Sequence, residues 1–82
     1  MILKIGKAKH DVRDMAEARA TYIKYRDAQM LAGKGSSQSH FGKITVNNTK
    51  YEIAWNGSVW RLPASGERVM VPADTLEQIK EA

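Results

Sequence analysis

The 82-residue chain has no cysteine, two prolines, one phenylalanine and two histidines. Without thiols there are no disulfides and no thiolate metal sites. His10 and His40 stand in no metal-ligand spacing, so no metal or other cofactor is expected. No apolar run approaches the ~20 residues of a membrane-spanning helix. The apolar opening "MILKI" is broken by lysines and is too short for a signal-peptide core, so the chain reads as cytoplasmic with no membrane partner. Paired carboxylates and a placeable Ser/His/Asp set are also missing. Ser39 and His40 are neighbours in sequence only, whereas a triad is defined by roles in space. A catalytic role is therefore not expected. A single domain of this length buries only ~60–65% of its unfolded surface. With disulfide and metal excluded, self-association is the remaining means of stabilising so small a core, and a homodimer is expected over a monomer.

What the chain has is positive charge, unevenly placed. Thirteen basic and nine acidic residues give a net +4. Met1 to Lys34 carries +4, the middle to Pro63 carries +2, and the tail from Ala64 carries −2. A basic body suits a phosphate-bearing or acidic partner, although a solvated surface has the same composition.

The pattern predicts an α+β fold. Ile2, Leu3 and Ile5 are compatible with a short strand. Asp11 is a candidate N-cap, and a long N-terminal helix is predicted over about 11–32, rich in helix formers at "AEARA" and stopped by Gly33. At 100° per residue, Val12, Met15, Ala16, Tyr22, Ile23 and Met30 form an apolar stripe, with Arg19 and Arg26 inside it. Arginines so placed must find partners, because an unpaired buried charge is costly. Gly/Ser-rich residues 33–40 form a loop, and residues 41–62 a β-meander. "NN" at 47–48 and "NG" at 56–57 read as two-residue hairpin turns. They place Ile44 opposite Tyr51, Lys43 opposite Glu52, Ile53 opposite Trp60 and Glu52 opposite Arg61. Ile44, Val46, Tyr51, Ile53, Trp55, Trp60 and Leu62 then share a face on which the helix packs, and both tryptophans read as core. The tail, 63–82, holds a short fourth strand near Arg68–Val71 and a short helix from Pro72 to Ile79. The whole is a long helix on a three- to four-stranded antiparallel meander.

Two anion sites present themselves. The loop "GKGSSQS" resembles a phosphate cradle in composition, without the spacing of a P-loop. Arg26 lies less than two turns upstream, so Arg26, Lys34, Gly35, Ser36, Ser37 and Ser39 form one candidate site for a phosphate-bearing small molecule. The plain alternative is a connector, with Arg26 in a structural pair. The second candidate is the outer face of the sheet, where Lys43, Thr45, Lys50 and Arg61 could lie in a DNA groove, as β-sheet readers do. Glu52 among these cations opposes phosphate binding and favours a merely solvated face.

The stretches "YIKYRDAQMLAGKGSSQSHFGKI" and "YEIAWNGSVW" resemble a family of small phage and prophage proteins. That family has a Y-x-x-x-R-D pattern, a Gly/Ser loop and a closing I-S-Y-N-G-R-V-W. Tyr22, Arg26, Asp27, Gly33, Gly35, Ser37, Ser39, Phe41, Gly42, Ile44, Ile53, Asn56, Gly57, Val59 and Trp60 match in kind. Ala54, Trp55 and Ser58 depart from it. The resemblance implies a phage or mobile-element accessory protein acting by binding in the host cytoplasm, such as an anti-CRISPR inhibitor of host immunity. Its partner would be a host protein complex or a phosphate-bearing signal molecule. A DNA-binding module and a structural interaction protein are the alternatives.

Overall fold

Three tight turns organise the chain. Gly6, at φ +60°, is the first central residue of a two-residue turn with Lys7. Glycine there suits a type II′ hairpin, whose twist matches that of the flanking strands. The turn joins β1 (Ile2–Ile5) to β2 (Ala8–Asp11). Asn47 and Asn48, both at positive φ, form the type I′ turn between β3 (Gly42–Val46) and β4 (Thr49–Ile53). The third turn joins β4 to β5 (Val59–Leu62), and a short β6 (Val69–Met70) follows. A computed structural model describes all residues from Met1 to Ala82, and in it these strands form one antiparallel sheet in the order β2-β1-β3-β4-β5-β6.

This corrects the expected architecture. The sheet has six strands rather than three or four, and the helix is not N-terminal, because a β-hairpin precedes it. Asp11 belongs to β2, paired with Ile2, and so caps nothing. The cap is Asp14, whose carboxylate accepts from the Glu17 N–H (2.8 Å), while Glu17 accepts from the Arg13 N–H (3.0 Å). These bonds satisfy amides that a helix start leaves without partners. The helix α1 therefore runs from Met15 to Leu31. The tail segment Ala73–Gln78, entered through Pro72, is 3-10 rather than α-helical. It packs on the start of α1, and the Ile79 carbonyl accepts from the Met15 N–H at 2.9 Å.

The third turn corrects the register of β5. Asn56-Gly57 is not a two-residue loop. Ala54 and Ser58 are bonded across it, the Gly57 N–H donates to the Ala54 carbonyl, and only Gly57 has positive φ (+88°). This is a three-residue loop, Trp55-Asn56-Gly57, with a glycine bulge. One extra residue moves every later side chain to the other face. Ile53 is thus opposite Val59, Glu52 opposite Trp60 and Tyr51 opposite Arg61. Trp60 leaves the covered face, Val59 takes its place at 2% exposure, and Arg61 parts from Lys43 and Lys50.

The core lies between α1 and one face of the sheet. Leu3, Ile5, Ile44, Val46, Ile53 and Val59 meet Met15, Ala18 and Tyr22, and Leu76 closes one end. Gly42 admits Tyr22, because a Cβ there would stand 3.1 Å from the Tyr22 ring. The helix is also rotated from the expected phase. Its buried line is Met15, Ala18 and Tyr22, whereas Met30 is half exposed. Arg19 and Arg26 consequently lie on the flank of that line.

Candidate functional site

On that flank, the two arginines grip the third turn. Arg19 Nε–H donates to the Gly57 carbonyl at 2.7 Å. One Nη of Arg26 donates to the Trp55 carbonyl at 3.3 Å, and the other pairs with Asp27 at 3.2 Å. They are seven residues apart, two turns along α1, so both reach the same loop. Sequence reasoning required partners for them and found none. The partners are main-chain carbonyls, which have no side-chain signature.

The Gly/Ser loop is closed largely upon itself. Gly33 (φ +78°) turns the chain after α1, and Ser36–Gln38 form one 3-10 turn. The Ser39 hydroxyl donates to the Gly35 carbonyl at 2.9 Å, and Gln38 Oε1 accepts from the Gly35 N–H. The far end is pinned to the helix. The Tyr22 hydroxyl donates to the His40 carbonyl, and the His40 N–H donates to the Tyr25 hydroxyl, both at 2.9 Å. Burial raises the Tyr22 pKa above its ordinary value, which keeps that phenol protonated as a donor. Lys34, Ser36 and Ser37 are exposed, but Arg26 is directed to Trp55 and Asp27 instead of to them. The expected convergence of Arg26 with Lys34, Gly35, Ser36, Ser37 and Ser39 is not the arrangement found.

The other candidate is assembled differently from its expected form, and more fully. The sheet face away from α1 has no covering element. Strand register aligns Lys9, Lys4 and Lys43 directly across β2, β1 and β3, with Glu52, Trp60 and Met70 continuing the row across β4, β5 and β6. Thr45 and Lys50 face each other in the next row, beside Leu62. Lys4, Lys9, Lys43 and Lys50 are all exposed, and none is in an ion pair. Lys43, Thr45 and Lys50 thus share this face as expected, Arg61 does not, and Lys4 and Lys9 join it. These two were missed because the first hairpin was missed.

Glu52, the residue that argued against phosphate binding, is neutralised. Its carboxylate is 16% exposed and lies 3.6 Å from an Nη of Arg68. The same guanidinium covers the Trp60 ring at 4.6 Å from its centroid. The Trp60 indole N–H donates to the Ser58 hydroxyl at 2.9 Å.

Two depressions mark this face. One, of about 760 Å³, is lined by Lys4, Lys9, Lys43, Thr45, Lys50 and Leu62, and by Met1 and Glu81. The other, of about 370 Å³, includes Gly6, Ser39, His40 and Phe41. They share Lys4 and Lys43. Ser39, at the end of the Gly/Ser loop, therefore borders the lysine row and not Arg26. No protein-family model, curated protein or solved structure matches the chain.

Proposed function

We propose that this chain is a non-enzymatic binding protein whose open sheet face takes nucleic acid. The observation that carries this reading is the register of Lys9, Lys4 and Lys43 across three neighbouring strands. Like charges directly opposite one another destabilise a sheet. Lysine on an edge strand has a protective use, and Lys9 fits it. Lys4 and Lys43 stand on interior strands, where that explanation fails. A polyanion relieves the repulsion and releases its own counterions on binding. Glu52 is paired with Arg68, and the other acids on this side, Asp11 and Glu81, flank the amino group of Met1.

The role in host immunity that the sequence resemblance implies is compatible with such a face. A small protein that occupies nucleic acid competes with any machinery that needs it.

The test is oligonucleotide binding by fluorescence anisotropy across a salt series. Affinity should fall linearly on a log-log plot. The double substitution Lys4→Ala plus Lys43→Ala should reduce the slope by about 1.4–1.8, at ~0.7 per contact for single strands and ~0.9 for duplex. An unchanged slope removes the face from the binding site.

A further inference from the structure

Resting on that reading, we infer that the face takes a single strand, DNA or RNA, in preference to a duplex, with phosphates along the lysine row and an unpaired base against Phe41.

The width of the sheet is one argument. Six strands at ~4.8 Å spacing make a face about 24 Å across. The duplex major groove is ~12 Å wide and admits a helix or a two-stranded ribbon. This face cannot enter it broadside.

Between the charges lie exposed apolar groups. Phe41 is 44% exposed and borders the same depression as Lys4 and Lys43. Ile2 and Met70, also on this face, are 45% and 58% exposed. A duplex presents only phosphate and sugar to such a surface and buries none of it. Unpaired bases have apolar faces, and single-strand binders combine a basic track with aromatic platforms for this reason. Arg68 adds a second planar group, a guanidinium over the Trp60 ring and 3.6 Å from the Glu52 carboxylate. Bases stack on arginine planes as they do on aromatic rings.

The two depressions meet at Lys4 and Lys43, giving one path along β3 from Thr45 to Phe41. Four residues of strand cover roughly 13 Å. A short run of nucleotides following this path would place its backbone on lysines and one base at Phe41.

The experiment compares single-stranded DNA, single-stranded RNA and a duplex of the same sequence, each of about 12 nucleotides, within the site sizes of single-strand binders. Poly-glutamate of matched charge is the fourth probe. The inference expects either single strand to bind at least ~10-fold tighter than duplex, and Phe41→Ala to weaken it by roughly five- to a hundredfold, the range of one lost base stack. The salt slope should remain unchanged in Phe41→Ala. The two single-strand arms show which sugar is preferred. Equal or tighter duplex binding, or a Phe41→Ala variant within twofold of the parent, overturns the single-strand inference. The nucleic-acid reading then still stands if the lysine variant lowers the slope. Failure of all three oligonucleotides to bind, or poly-glutamate binding as tightly as they do, overturns both. Phe41 is 44% exposed, so Phe41→Leu, which keeps apolar bulk but has no ring to stack, is the second variant and should show the same loss of affinity with the fold retained.

Discussion

On β1, Leu3 and Ile5 are sealed beneath α1, while their immediate neighbours Ile2 and Lys4 stand on the uncovered face. The same alternation runs along β3, where Gly42, Ile44 and Val46 are buried and Lys43 and Thr45 are exposed. One face resolves its interactions internally. Its apolar side chains meet one another, and the flanking arginines find carbonyls. The other face leaves four lysines without partners and large apolar groups uncovered. Stability should therefore reside on the first face and binding on the second.

Adjacent substitutions break the two apart most sharply. Leu3→Ala should cost about 2–5 kcal/mol, since Leu3 is fully buried and its loss leaves a cavity. Ile2→Ala, one residue away, should stay within about 0.5 kcal/mol. Urea midpoints at constant m-value check this. Comparable losses at both positions would mean that the uncovered face is packed after all.

A smaller effect separates the two arginines. Arg19 makes a 2.7 Å charge-assisted bond to the buried Gly57, and Arg19→Ala should cost about 1.5–3 kcal/mol. Arg26 makes a longer bond and an exposed pair with Asp27, so Arg26→Ala should cost at most about 1 kcal/mol. Neither should change oligonucleotide affinity. If Arg26→Ala weakened it markedly, the Gly/Ser loop would return as a phosphate site.

The sequence made the covered face partly legible and the open face hardly at all. Asn47-Asn48 specifies one turn type, so the pairing of Lys43 with Glu52 and of Ile44 with Tyr51 could be read directly. Asn56-Gly57 is ambiguous, because the same dipeptide serves as a whole two-residue loop or as the last two residues of a three-residue one. The apolarity of Trp60 favoured the first reading, yet its indole is out on the open face under Arg68. Gly6-Lys7 carries the Gly-X signal of a type II′ turn between Ile5 and Ala8, so the first hairpin could have been found. Its second strand, Ala8–Asp11, has alanine as its one apolar residue, because it contributes Lys9 to the lysine row. The feature that makes the open face a candidate site is thus what hid β2, and with it the pairing of β1. In the helix, Ala18 counts little in an apolar stripe, although it sits at the centre of the buried line.

The smallest expected effect lies at the rim between the two faces, in the amino group of Met1. It donates to the Val12 carbonyl at 2.9 Å and pairs with Glu81 at 3.0 Å, and Asp11 lies 3.7 Å away. The hydrogen bond with Glu81 raises its pKa above the ordinary 8.0. Desolvation opposes this, and the charges of Glu81 and Asp11 add to it. A group whose pKa is raised by folding stabilises the fold fully below its unfolded value. That contribution is lost as pH climbs through the folded value, because the unfolded chain gives up its proton first. Stability should therefore decline slightly from pH 8 upward, and Glu81→Gln should flatten the decline. Above pH 10 Tyr22, whose pKa burial also raises, adds a fall of the same sign. Deprotonation also leaves the Glu81 carboxylate uncompensated beside the lysine groove. Oligonucleotide affinity should thus fall over the same interval, and Glu81→Gln should move that fall to lower pH while it flattens the stability change.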